Sequence, residues 1–146
     1  GFMDENELHV LLMLGFYRSN REIVKQTTNS GLMPGQPKIL EFLSSNDGCN
    51  QKEISRGCVL DKSTVTSLLK RMEKIGLIRK EFHQDDLRCA RIYLTDAGKE
   101  KAAWVRSVMR DIDGQGWQGI SDEERRCFMN VFHKIIRNQK KWDERY

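Results

Sequence analysis

The sequence predicts a mainly α-helical domain with one small β-hairpin, and three observations support this fold class. Apolar side chains recur at helical spacing along most of the chain, two short capped helices follow each other across a tight turn, and two strand-like pieces flank a polar loop. A chain of 146 residues suits one domain with a real core. No apolar run approaches the roughly 18 residues of a membrane span, and the start lacks the features of a signal peptide, so we expect a cytoplasmic protein without membrane contact.

Two helices are predicted in the first third of the chain. The first covers residues 5–30 and is expected to stop at Gly31. Its apolar positions are Leu8, Leu11, Leu12, Phe16 and Ile23. Pro34 suits the first turn of the second helix, where a missing N–H costs nothing. The apolar face of that helix is Ile39, Leu40, Phe42 and Leu43. The composition of residues 44–48 then predicts a loop.

A helix-turn-helix pattern follows this loop. Asn50 and Glu53 have the spacing of a capping box, which predicts a short helix over residues 51–56. Gly57 is expected to end that helix, and Asp61 is expected to cap the next one. Two short helices joined by a tight turn are typical of a helix-turn-helix motif.

The second helix of this pair ends at Gly76 and has two different faces. The apolar stripe, predicted to be buried, is Val65, Leu68, Leu69, Met72 and Ile75. The opposite face carries Lys62, Ser63, Thr66, Ser67, Lys70, Arg71 and Lys74. Serine and threonine are mediocre helix formers, so their concentration here needs another reason. Short hydroxyls allow close approach to base edges and cations reach phosphates, which predicts a helix that enters the major groove of DNA; a merely solvated face is the alternative.

The segment after Gly76 favours the DNA interpretation. "LIRKEF" and "RIYL" read as strands and "HQDDLRCA" between them reads as a hairpin loop, so a hairpin directly follows the helix-turn-helix as in a winged helix. Arg88 near the tip suits the minor groove, and Asp86 could pair with it and stiffen the wing. Arg91 at the start of the returning strand lies close enough to help. Residues 51–91 hold ten basic and six acidic side chains, the largest positive excess in the chain.

Several stretches together resemble the MarR family of transcriptional regulators, from about residue 5 to residue 142: "PGQPKILEFL", "NQKEIS", "DKSTVTSLLKRMEKIGLIRK", "DDLR" and "YLTDAGKE". The resemblance implies a winged helix-turn-helix lobe at 34–95 and dimerisation helices at 5–30 and 96–142. It also implies an obligate homodimer on pseudo-palindromic double-stranded DNA, usually a repressor relieved by a small-molecule effector, with no cofactor. The expected DNA-binding residues are Gln51, Lys52, Lys62, Ser63, Thr64, Thr66, Ser67, Lys70, Arg71, Arg88 and Arg91.

Three positions depart from the family pattern. Met33 stands where many relatives have a capping threonine, and Leu87 stands where the wing more often has a second arginine. The first helix also lacks the reactive cysteine of peroxide-sensing relatives, which argues against that mechanism.

The carboxy-terminal third fits a dimer. Thr95 is expected to cap a helix over residues 96–113, and Ser121 with Glu124 forms another capping box. The last helix has an apolar stripe that predicts contact with a partner subunit, or else a core: Phe128, Val131, Phe132, Ile135, Ile136, Gln139 and Trp142.

Other functions and sites find weaker support. "GQGWQG" at 114–119 matches a dinucleotide-binding motif but links two helices. The cysteines form no CxxC pair and the histidines no metal spacing, so free thiols and no metal are expected. No nucleophile with its base indicates an enzyme, and a pure protein-interaction module would lack the hydroxyl and cation mix. Phe16, Tyr17 and Trp104 could line an effector pocket or belong to the core.

Overall fold

The computed structural model describes residues 3–83 and 86–143, without the side chains of 83 and 86–88. Its elements are α1 (Leu8–Thr28), α2 (Gln36–Ser45), α3 (Gln51–Cys58), α4 (Lys62–Lys74), β1 (Ile78–His83), β2 (Asp86–Leu94), α5 (Asp96–Gly116), α6 (Asp122–Gln139) and a 3-10 turn (Lys140–Trp142). The predicted fold class is confirmed. The hairpin loop is shorter than predicted because β2 already begins at Asp86. None of the described helices is long and apolar enough to cross a membrane.

The chain divides into two compact units, the first ending at Ile112 and the second starting at Asp113. The first unit contains the hydrophobic core, whose fully buried side chains come from α2, α3, α4, the hairpin and α5. They include Ile39, Leu40, Leu43, Ile54, Val65, Leu69, Met72, Ile92 and Val105. The apolar stripe predicted on α4 is therefore buried, except that Ile75 is 55% exposed and that part of the prediction is wrong.

The capping residues hold the helix-turn-helix in place. The side chain of Asn50 accepts a hydrogen bond from the Glu53 N–H at 2.9 Å, and the Glu53 carboxylate accepts one from the Asn50 N–H at 3.0 Å. Asp61 caps α4 through the Thr64 N–H at 2.7 Å. The second unit contains an equivalent capping box at Ser121. These predicted caps are confirmed.

Two helix boundaries differ from the prediction. Pro34 lies before α2, and Pro37 is the proline in its first turn, because Gly35 with φ +91° reverses the chain between them. Gly57 does not end α3, which continues to Cys58. A Cβ at Gly57 would come within 2.1 Å of the Phe42 ring, so the glycine is needed for the close packing of α2 on α3.

The turn after α4 connects it to the hairpin and to α5. Gly76 has φ +83°, and the Leu77 N–H donates to the Met72 carbonyl at 2.9 Å, as in a Schellman motif. The predicted stop at Gly76 is confirmed. Thr95 binds this turn from the other side, because its N–H donates to the Leu77 carbonyl and its hydroxyl to the Gly76 carbonyl. The Thr95 hydroxyl also accepts from the Gly98 N–H at 3.0 Å, which caps α5.

The second unit consists of the end of α5, α6 and the 3-10 turn. No side chain of α6 is buried. Two aromatic residues of its predicted stripe form a partly exposed cluster with Trp117, in which the Phe128 and Phe132 rings stack at 5.4 Å and Trp117 meets Phe128 edge-on at 5.9 Å. All four cysteines are free thiols, as predicted.

Candidate nucleic-acid interface

The outer face of α4 is exposed along its whole length. Lys62, Ser63, Thr66, Ser67, Lys70, Arg71 and Lys74 are all exposed, and Thr64 is half-buried. The opposite side of the helix packs into the core through Val65, Leu68, Leu69 and Met72. Because this packing stabilises α4, its outer face can carry serine and threonine despite their low helix propensity. The exposed polar face and the buried stripe agree with the faces predicted from the sequence.

The Asp61 carboxylate that caps α4 also accepts a hydrogen bond from the Ser63 hydroxyl. Ser63 donates to the Asp61 carboxylate at 2.9 Å, beside the Thr64 N–H at 2.7 Å. The hydrogen bond from the Thr64 N–H makes the largest contribution to lowering the pKa of Asp61, and the Ser63 hydroxyl lowers it further. Ser63 therefore has its donor engaged and its lone pairs available to accept from a base or a ligand.

Thr66 is oriented by a contact between the two helices of the motif. Its hydroxyl donates to the Lys62 carbonyl at 2.9 Å and accepts from the Gln51 amide. Gln51 therefore orients Thr66, and its own contact with DNA stays a prediction. Lys52, the next residue of α3, is exposed.

Arg71 is held near the start of α2. Its guanidinium donates to the Met33 sulfur at 2.8 Å, and the Met33 N–H donates to the Gln36 amide oxygen at 2.9 Å. The departure from the family pattern at Met33 therefore has a structural use, because the methionine sulfur accepts from the Arg71 guanidinium.

The wing residues are only partly described. The side chains of Arg88 and Asp86 lie outside the described part of the chain. Arg91 is in the middle of β2 instead of at its start, and its guanidinium donates to the Gly48 carbonyl at 3.0 Å. It therefore braces the hairpin against the loop after α2, and its contact with DNA stays a prediction.

Comparisons with known proteins agree with this architecture. A MarR family model matches residues 32–90. The HTH-type transcriptional regulator SarZ of Staphylococcus epidermidis is 29% identical over 115 residues, covering 76% of this chain and 75% of SarZ. A transcriptional regulator of the MarR family from Silicibacter pomeroyi is 29% identical and superposes with a TM-score of 0.79 over 88% of this chain and 86% of its own. The chain is therefore similar to transcriptional regulators of the MarR family, and the family model itself matches residues 32–90.

A further solved structure supports the fold. The MepR–DNA complex of S. aureus superposes with a TM-score of 0.81 at 19% identity, over 90% of this chain and 98% of that chain. The relatives are named as transcriptional regulators, which confirms the prediction that the chain is not an enzyme.

The aromatic residues considered for an effector pocket are not core residues in this chain. Phe16 is 63% exposed and Tyr17 is 58% exposed, so the core interpretation is wrong for both. The Lys38 ammonium lies 5.2 Å from the Phe16 ring, and that of Lys101 lies 5.3 Å from the Trp104 ring. Whether these rings contact an effector stays a prediction.

One cation near this face was missed by the sequence analysis. Lys80 on β1 lines the same cleft as Lys52 and Lys62. The signal was present in the sequence, because alternation along "IRKEF" places Lys80 on the same side of the strand as the buried Ile78. That strand was interpreted only as part of the wing.

The cap of α4 gives a pH-dependent prediction. A lowered pKa for Asp61 means that its contribution to stability is full above the unfolded value of about 3.9 and is lost as the pH falls through the folded value. Asp61→Asn keeps a capping oxygen but does not titrate. We expect the Tm difference between wild type and Asp61→Asn to shrink as the pH falls below about 4. Thermal unfolding at a series of pH values measures this, and a constant difference would contradict it.

Proposed function

We propose that the chain is a sequence-specific DNA-binding regulator that binds a pseudo-palindromic operator as a homodimer and represses transcription until an effector releases it. The observation that carries this proposal is the exposed outer face of α4, which combines short hydroxyls with cations on a helix that is anchored by its cap and by its buried stripe. The first α4 turns would read base edges, and Lys70 and Arg71 would contact phosphates. The wing, with Arg88, would reach the adjacent minor groove.

The proposal of a dimer has separate support. Exposed apolar side chains lie along α1, including Leu8, Leu11, Met13 and Phe16, and along α6, including Phe128, Val131 and Ile136. On α6 these side chains follow the helical spacing of one face, and exposed apolar surface of this kind marks an interaction site in a soluble protein. Two copies would present two α4 helices to half-sites about one helical turn apart, which a single copy cannot do.

Selection of bound fragments from the native genome tests the function and supplies the operator. We then expect Thr66→Val to change sequence preference, because it removes a hydroxyl with little change in shape. The loss in discrimination between the selected site and altered sites should be about 1 kcal/mol, or about fivefold in Kd. Competition titrations with both duplexes measure it.

Thr28→Val is the matched control for that substitution. Thr28 is an exposed threonine near the end of α1, and its hydroxyl donates to the Val24 carbonyl four residues earlier, as Thr66 does to Lys62. We expect Thr28→Val to leave DNA binding unchanged. Unchanged binding across alanine variants of Ser63, Thr64, Thr66, Ser67, Lys70 and Arg71 would overturn the proposed docking of α4.

A further inference from the structure

The inner face of the hairpin changes character along its length. At its base, Ile78 pairs with Leu94 and both are buried in the core. Two residues further out, Lys80 pairs with Ile92, and then Phe82 pairs with Ala90. Because alternate residues share one face of a strand, Lys80 and Phe82 continue the core face beyond the edge of the core. Phe82 is 58% exposed there.

A cleft of about 650 Å³ lies between this part of the hairpin, α3 and the start of α4. It is lined by Asn50, Gln51, Lys52, Ser55, Lys62, Lys80, Phe82, Cys89, Ala90 and Ile92. Three lysines therefore line one cleft, and no carboxylate is among its described lining residues. The Lys80 ammonium lies 3.9 Å from a carboxylate oxygen of Glu73, which is a long ion pair, so the positive charge of Lys80 is only weakly compensated.

We propose that this cleft seats the sugar-phosphate strand of DNA that separates the major groove from the minor groove, with Lys80 as a phosphate-binding residue beside Lys52 and Lys62. The proposal rests on the proposed function, in which α4 enters the major groove and the wing reaches the minor groove. The strand between those two grooves must then pass between α4 and the hairpin, which is where the cleft lies.

The composition of the cleft matches this occupant. A DNA strand alternates charged phosphates with apolar faces of deoxyribose, and the cleft combines three cations with the apolar surfaces of Phe82, Ala90 and Ile92. Contacts of this kind fix the register of the protein on the duplex and carry no sequence information. Lys80 would therefore contribute to affinity for all sequences, unlike Thr66.

The salt dependence of binding to a mixed-sequence duplex tests Lys80 without knowledge of the operator, because non-specific binding rests on phosphate contacts. Each phosphate contact contributes about 0.9 to the slope of log affinity against log salt, so Lys80→Ala should reduce the slope by about 0.9 for each bound chain. Lys80→Arg should keep the wild-type slope, since the charge remains. Lys25→Ala is the matched control, because Lys25 is exposed on α1 and its removal changes net charge equally.

Cys89 provides a second readout at the cleft itself. It is exposed and lines the cleft, whereas Cys49 and Cys58 are buried, and burial raises their pKa values to about 12 and about 11. These two thiols stay protonated and unreactive near neutral pH. In a Cys127→Ser background, a maleimide reagent should therefore modify Cys89, and the mixed-sequence duplex should protect it.

The outcomes separate this inference from the proposed function. A reduced slope for Lys80→Ala together with protection of Cys89 supports the cleft as the strand site. If α4 variants weaken DNA binding but Lys80→Ala keeps the wild-type slope and Cys89 stays reactive, the cleft assignment is wrong and the proposed function stands. Protection by a small aromatic acid such as benzoate, with none by the duplex, would also overturn it in favour of a small-molecule site. A wild-type chain that binds no duplex would overturn the proposed function itself.

Discussion

Gly98→Ala is expected to destabilise the first unit by about 3 kcal/mol or more, at the upper end of what overpacking usually costs. A Cβ at this position would lie 1.9 Å from the Leu77 carbonyl oxygen. That atom belongs to the backbone of the turn after α4 and accepts the Thr95 N–H, so it cannot move without loss of the junction between α4 and α5. Urea unfolding followed by circular dichroism measures the change in the free energy of unfolding.

Gly114→Ala on the same helix is the control. A Cβ there has no neighbour within 4 Å, so the alanine should stabilise α5 by up to about 1 kcal/mol through its higher helix propensity. The two identical substitutions should therefore shift stability in opposite directions. Equal effects would show that Gly98 acts through helix propensity and not through the close approach to Leu77.

The parts of the fold that the sequence predicts well are those decided by local chemistry. The caps at Asn50, Asp61 and Ser121 and the stop at Gly76 depend on residues within a few positions of each other. The error at Gly57 came from a contact between elements. Gly57 looked like a helix end because glycine often is one, but the Phe42 ring from α2 explains its presence.

The same distinction holds for the candidate interface. Helical periodicity alone separates the exposed face of α4 from its buried stripe. It cannot show that Gln51 orients Thr66 or that Arg91 donates to the Gly48 carbonyl, because these partners are 15 and 43 positions apart in the chain. The sequence analysis did not single out Lys80 for a related reason. Its proposed role as a phosphate-binding residue depends on the cleft that the hairpin shares with α3 and the start of α4.

Ile135→Asp combined with Ile136→Asp is expected to dissociate the proposed dimer and abolish operator binding together. In a single chain Ile135 is half-buried and Ile136 is 47% exposed, so the isolated chain has little reason to lose its fold. In a dimer formed through the α6 stripe, each carboxylate would be buried without a partner, which costs several kcal/mol. The dimer should therefore weaken at least about 100-fold, which sedimentation at micromolar concentration and a gel shift would both detect.

Asn130→Asp is the matched control for the loss of the dimer, because it adds a carboxylate to α6 on the exposed side opposite the stripe. We expect this variant to stay dimeric and to bind the operator with nearly the wild-type affinity. The winged lobe of the Ile135 and Ile136 double variant should keep its own unfolding transition, since its core draws on no residue of α6. A wild-type chain that sediments as a folded 17.1 kDa monomer would contradict the dimer, and so would a double variant with unchanged mass and operator affinity. Loss of operator binding with the dimer intact would instead mean that α6 affects DNA binding by another route.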